Sequence, residues 1–299
     1  MHLFCCTNAL VVLEILHTIS AVRSALKPLK ATHKTIGLVP TMGALHEGHL
    51  ELVKKSKLYS EFTVVTIFVN PIQFNNSEDL EKYPRQLEKD LEKLRAISVD
   101  FVFIPEISEI YPHPVGLTFQ FGDLENLLEG SFRPGHFNGV AIIVSKLFHI
   151  IQPDSAFFGQ KDLQQVAVIK RLVRDLSFDL EIKVVPTMRE PDGLALSSRN
   201  LRLSSEGRKN AKVLFEVITE CRDELLKGEN WFQIREKAKL KLDATPSVKL
   251  EYLEMVLTDE FKPVDVLVPG ESHSICIAAF VENIRLIDNI NFSPENNIN

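Results

Sequence analysis

Three apolar runs punctuate the first third of the chain. Ile36-Gly37-Leu38-Val39, Phe62 to Val69 and Phe101 to Ile104 carry almost no polar face, as strands buried on both sides of a parallel sheet do. Between them, apolar positions return at helical spacing over Leu50 to Ser56 and over Glu78 to about Ile97. Ser77 reads as the cap of the second helix, with Glu78, Asp79 and Glu81 in its first turn. The segment from Glu14 through Ile19 onward reads as an amphipathic helix. Strand, helix, strand, helix, strand at this spacing predicts right-handed βαβ units.

The pattern continues with a Gly- and Pro-rich loop over 130–139, a strongly apolar helix from Val140 to Ile151 and a strand at Ala156 to Phe158. A helix from Leu163 to Leu176 then buries Leu163, Val166, Val173 and Leu176, and Glu181 to Val185 forms a strand stopped by Pro186. Beyond it the texture changes. Charged helices over Glu206–Lys227 and Trp231–Asp243 precede strand alternation over Lys249–Leu257 and Ser274–Phe280. The chain therefore reads as α/β, with a doubly wound parallel sheet over residues 1–186 and a smaller α+β domain over 187–299. The boundary falls near Pro186-Thr187, and the polar tail from Ser293 reads as frayed.

The 299 residues, 45% hydrophobic and 25% charged, have the balance of a globular protein. A net charge of −6 argues against nucleic acid as a partner, without excluding a small anion held by a local positive site. Cys5, Cys6, Cys221 and Cys276 show neither metal spacing nor a disulfide framework, which points to a reducing compartment, the cytoplasm. The apolar start lacks the basic region of a signal peptide, and no run reaches the roughly 20 apolar residues of a membrane span.

Candidate chemistry gathers where strands end. Met42-Gly43-Ala44-Leu45-His46-Glu47-Gly48-His49 is a strand-to-helix turn. Its glycines admit close backbone approach, its histidines share one helical face, and a helix start favours phosphate. Three further clusters, at 70–75, 159–165 and 188–200, follow strands in the same way. Each has an ordinary explanation as turn or cap chemistry. Together, on one edge of a doubly wound sheet, they converge on a nucleotide crevice.

Four stretches carry a resemblance. Pro40 to His49, Phe68-Val69-Asn70-Pro71-Ile72-Gln73-Phe74, Phe158-Gly159-Gln160-Lys161-Asp162-Leu163-Gln164-Gln165 and Arg189-Glu190-Pro191-Asp192-Gly193-Leu194-Ala195-Leu196-Ser197-Ser198-Arg199-Asn200 resemble the pantothenate synthetase (pantoate–β-alanine ligase) family, within the nucleotidylyl-transferase superfamily. The resemblance runs from about Ile15 to about Ile287. It implies a Rossmann-like amino-terminal domain, a carboxyl-terminal lid domain and a homodimer. It also implies ATP with Mg²⁺ as co-substrate, no tightly bound prosthetic group and no membrane. The implied reaction joins pantoate to β-alanine through a pantoyl adenylate, releasing pyrophosphate and then AMP.

The resemblance further implies roles. His46 and His49 contact phosphates, with His49 the proton donor, and Met42 through His49 line the nucleotide site. Gln73 binds pantoate and β-alanine, and Gln165 binds pantoate. Gly159, Gln160, Lys161 and Asp162 contact ATP, the backbone at Met188 brackets adenine, and Leu196, Ser197, Ser198 and Arg199 close over the phosphates. No magnesium ligand is identified. Gln160, Met188 and Leu196 depart from common family residues without removing an assigned role, and residues 1–12 read as an extension from an early start codon. A sister nucleotidylyl transferase would keep the histidines but has no reason to keep Gln73 with Gln165. A non-catalytic nucleotide binder predicts erosion at Lys161, Ser197, Ser198 or Arg199, and none is eroded.

Overall fold

A computed structural model describes residues 13–75 and 77–294. The capping role given to Ser77, the extension at 1–12 and the tail from residue 295 fall outside what is described. β1 (Glu14–Leu16), β2 (Ile36–Thr41), β3 (Phe62–Ile67), β4 (Phe101–Phe103), β5 (Ser155–Gly159) and β6 (Glu181–Val185) form one parallel sheet in the order β1-β4-β3-β2-β5-β6. Among the described residues, eight helices accompany it: α1 (Ile19–Ala31), α2 (Glu47–Tyr59), α3 (Ser77–Glu81), α4 (Leu87–Ala96), α5 (Ile107–Ile110), α6 (Leu128–Phe132), α7 (His136–Ile151) and α8 (Leu163–Asp175).

Strand alternation sends neighbouring residues to opposite faces. Leu38, Val64 and Phe103 pack with Leu26 of α1, Phe148 of α7 and Ile169 of α8. Val39, Val65, Val102 and Phe157 pack with Val53 of α2 and Leu94 of α4. The sheet is thus covered on both faces, as its unbroken apolar strands require. The chain reverses direction across the sheet between β2 and β5, so a crevice opens between the turns that follow them.

The second sheet is antiparallel, in the order β10-β9-β7-β8, from β7 (Val248–Leu257), β8 (Lys262–Pro263), β9 (His273–Val281) and β10 (Ile284–Phe292). One face receives α10 (Val213–Leu226) and α11 (Trp231–Asp243), which follow the short α9 (Ser205–Ala211), with Ile218 and Leu242 against Met255 and Ile277. The other face presents Tyr252, Val256, Cys276 and Ala278 to Leu128 of α6 and Leu163 of α8. This second contact brings β10 alongside the turn after β5.

Several sequence expectations change. Glu14–Leu16 is an edge strand, because pairing with β4 overrides its helical periodicity, and the helix starts after Thr18. The helix expected over 78–97 is two helices, broken around Pro84, whose ring cannot continue a helix. The segment 130–139 is largely helical, split between α6 and α7 at Arg133–Gly135. Leu176 is 49% exposed rather than buried. The helix over 206–227 divides at Lys212, and β10 is an additional strand that the sequence pattern did not predict. Cys221 and Cys276 are buried free thiols, and among the described residues no helix is long and apolar enough to cross a membrane.

Candidate active site

The turn after β2 is locked by a buried carboxylate. Asp90 of α4 accepts hydrogen bonds from the backbone N–H groups of Ala44 and Leu45, both at 2.8 Å. Gly43 (φ +79°) and Ala44 (φ +51°) both adopt left-handed backbone, and a Cβ at Gly43 would lie 3.2 Å from Asp90 Oδ2. Lys93 also donates to the Leu45 carbonyl. Ala44 and Leu45 are therefore buried beneath the turn, and Glu47 is exposed at the first position of α2.

His46 and His49 face each other with ring centroids 4.0 Å apart. Burial pushes the His46 pKa down to about 4, assisted by the Lys161 charge. Burial, with the charge of neighbouring His46 and Lys161, also holds His49 well below the usual histidine range. Both are neutral at pH 7. His49 Nδ1 accepts from the His46 backbone N–H at 3.3 Å, so its proton sits on Nε2. Among the described residues, buried His46 Nδ1 has no hydrogen-bond partner.

After β3 the chain makes a single 3-10 turn, Pro71–Gln73. Buried Asn70 donates to Gln73 Oε1 at 3.0 Å and to the Gly139 carbonyl at 3.1 Å, and it accepts from the Tyr111 hydroxyl at 2.8 Å. Gln73 Nε2 points at Met42 Sδ, 3.1 Å away. His136 Nδ1 donates to the Gln73 carbonyl at 2.9 Å, which leaves its Nε2 as an acceptor. Burial, then the Arg133 charge, pushes the His136 pKa down to about 3. The cavity thus holds one imidazole that offers a donor at Nε2 and one that offers an acceptor.

The turn after β5 is gripped from the second sheet. Asn289 of β10 donates to the carbonyls of Gln160 (3.0 Å) and Lys161 (2.8 Å). Next to it, buried Asp288 takes a bidentate pair from Arg189 at 2.6 and 2.9 Å, and Arg189 stacks over Phe215. The Arg189–Asn200 segment closes with Ser197 Oγ accepting from the Arg199 N–H at 3.2 Å. Gln164 has a structural task, bonding the carbonyls of Leu124 and Leu127 and the N–H of Glu129, whereas Gln165 lines the cavity.

The four sequence clusters do converge. One cavity of about 220 Å³ is lined by Met42, His46, Gly48 and His49, by Gln73, by Gly159, Lys161, Asp162 and Gln165, and by Met188, Leu196, Ser197, Ser198 and Arg199. Gly43, Ala44, Leu45, Glu47 and Gln160 are outside this lining. Sequence reasoning missed Tyr83, Arg133 and His136, which also line it, because it treated their surroundings as helix and loop. It also missed Asp288 and Asn289, whose signal was a charge in the inward phase of alternating Ile284, Leu286, Asp288 and Ile290.

The comparisons agree with one another. A family model described as pantoate-beta-alanine ligase matches residues 14–291. The chain is 45% identical to a pantothenate synthetase from Bacteroides fragilis over 283 residues, covering 94% of this chain and 99% of that protein. It is 48% identical to one from Thermoanaerobacter over 273 residues, covering 91% and 96%. The solved pantothenate synthetase of Thermus thermophilus superposes with a TM-score of 0.88 at 41% identity, over 94% of this chain and 100% of that one. The pantoate-beta-alanine ligase of Francisella tularensis, solved in complex with beta-gamma ATP and beta-alanine, gives a TM-score of 0.79 at 36% identity, over 93% and 97%.

Proposed function

The chain belongs to the pantoate–β-alanine ligase family and is an ATP-dependent enzyme of that class, and we propose that it condenses (R)-pantoate with β-alanine in two steps within this crevice. In the first, a pantoate carboxylate oxygen forms a bond to the α-phosphorus of ATP, and the bond to the bridging oxygen breaks to release pyrophosphate. In the second, the β-alanine amine attacks the acyl carbon of pantoyl adenylate, and AMP leaves with the carboxylate oxygen. A carboxylate is a poor electrophile, and attachment of AMP supplies its leaving group.

The barrier to adenylation is charge repulsion and alignment, which calls for donors and cations held in place. His49 Nε2–H and His46 meet the phosphates as neutral donors, and the incoming negative charge draws their pKa back up, so that a proton is available to the leaving group. Lys161 supplies positive charge to the phosphates and Arg199 neutralises the departing pyrophosphate. The Gln73 and Gln165 amides offer both donor and acceptor to the pantoate hydroxyls and carboxylate. Met188 borders the adenine, and the lid closes from the second domain, with its boundary near Pro186-Thr187.

Among the described residues, no three His, Cys, Asp or Glu side chains are grouped to hold a metal. Magnesium would arrive with the triphosphate and neutralise part of its charge, with phosphate and water oxygens available to it. The enzyme works as a homodimer in the cytoplasm.

The observation that carries this reading is the joining of two recognition chemistries in one cavity, paired imidazoles with Lys161 for phosphate and paired glutamines for a small hydroxy acid. The test is release of pyrophosphate and AMP from Mg-ATP. Pantoate alone should give pyrophosphate, and AMP should follow only when β-alanine is added. Turnover with another acceptor but none with pantoate would reassign the enzyme to a sister transferase.

A further inference from the structure

The residue proposed to meet pyrophosphate is already held by an acidic side chain outside the sequence motifs. Asp79 of α3 accepts from Arg199 Nη2 at 2.9 Å through Oδ2 and from Arg202 Nη1 at 3.2 Å through Oδ1. The pairs are only partly exposed, with side-chain exposures of 27% for Arg199 and 28% for Asp79. One turn on, the buried side chain of Tyr83 lines the same cavity as Ser198. Asp79 thus grips the 3-10 turn Ser198–Arg202 at two residues, Arg199 and Arg202, 120 and 123 positions away in sequence. Desolvation opposes the charge on Asp79, but the two guanidiniums outweigh it and keep the carboxyl below the ordinary aspartate range.

Only Nη2 of Arg199 donates to Asp79. A guanidinium has five N–H donors in a rigid fork, so the other edge stays available to a phosphate while the first fixes the plane. Arg202 takes the second carboxylate oxygen and anchors Asp79 from behind. We propose that Asp79 is a positioning residue for adenylation, orienting Arg199 over the mouth of the crevice so that its free donors meet the leaving pyrophosphate. This deepens the ligase reading and rests on it.

The test is pantoate-dependent exchange of labelled pyrophosphate into ATP, measured for the wild type, Asp79→Asn, Arg199→Ala and the double variant. Wild-type exchange establishes the underlying reaction, and its absence would overturn the ligase reading rather than this one. Given exchange, Asp79→Asn should lower its maximal rate on the order of 10- to 100-fold, as misplacement by about 1 Å does, with a smaller change in the half-saturating pantoate concentration. Asp79→Glu should recover part of the loss. In the Arg199→Ala background, Asp79→Asn should cost less than about twofold, because coupled residues are not additive. Equal losses in both backgrounds, or an unchanged rate in Asp79→Asn alone, would overturn the proposal. Thermal unfolding of each variant separates misfolding from misplacement.

Discussion

The two walls of the crevice are held by different forces. The wall after β2 and β3 faces the cavity with neutral groups, namely two half-buried imidazoles, the buried Asn70 and Gln73 amides and the half-buried Met42 thioether. Its buried carboxylate, Asp90, is spent on backbone N–H groups within the turn. The wall after β5, continued by residues 186–199, is charged and half-exposed. It is held by Asn289, by the Arg189–Asp288 pair and by the Arg199–Asp79 pair. A neutral wall of amides and imidazoles fits recognition of a small hydroxy acid. A wall built on ion pairs can exchange partners when a triphosphate arrives. The first should be indifferent to salt, whereas the partly exposed Arg199–Asp79 pair of the second should not.

The charged wall breaks most readily at Asp288. Asp288→Ala leaves the Arg189 guanidinium, 19% exposed, without its carboxylate and with only the Gly193 and Asn289 carbonyls to meet its charge, and the expected loss is about 3 kcal/mol of folding stability. Urea unfolding measures it as a lower midpoint at unchanged slope. A loss below about 1 kcal/mol would mean that this wall does not depend on its ion pairs.

The neutral wall is tested at Gly139. A Cβ there would lie 2.5 Å from the Ile72 carbonyl oxygen and 2.7 Å from Gln73 Cα, both backbone atoms. Gly139→Ala should push the Pro71–Gln73 turn away from α7 and lower kcat/KM for pantoate about 100-fold, the scale of a 1 Å misplacement. Steady-state kinetics in varied pantoate reads this directly, and ATP saturation should change far less.

His46 sharpens the contrast through pH. Its folded pKa of about 4 lies below the unfolded value near 6.5. Between those values the unfolded chain binds more protons, so stability falls as pH drops from about 6.5 toward 4. Above that window the contribution is fully present. His46→Gln should remove a part of the acid loss of order 2 kcal/mol, seen as a shallower decline between unfolding curves at about pH 7 and pH 5. A parallel decline in both proteins would contradict burial as the cause.

The smallest effect is expected at Gln160. Its carbonyl is the group that Asn289 holds, while its side chain makes only a 3.5 Å contact with Asn289. Gln160→Glu should change kcat/KM by less than about twofold, in line with the modest worth of a partly exposed neutral contact. A tenfold loss would show that the side chain, not the backbone, positions this turn.

What could be read from the sequence was local. The turn 42–49 and the strand-to-helix placement of Lys161 follow from runs of a few residues and from periodicity, whereas the glutamines at 73 and 165 were singled out by the resemblance of the motifs around them. What could not be read was long-range. Asn289 reaches Lys161 across 128 positions, and Asp79 reaches Arg199 across 120. Neither distance leaves a periodic trace. At β1, pairing of three residues with β4 outweighs a weak helical pattern. Between α3 and α4, Pro84 interrupts a periodicity that otherwise reads as continuous. Asp288 was the long-range partner with a local sign, a carboxylate at an inward strand position.

In the proposed reaction the pantoate carboxylate, not water or a second phosphate, attacks the α-phosphorus in this crevice. Pantoate labelled with heavy oxygen at both carboxylate positions tests it most directly. After turnover with ATP and β-alanine, mass spectrometry should find one labelled oxygen in AMP and none in pyrophosphate. Unlabelled AMP, or label found in pyrophosphate, would contradict the account.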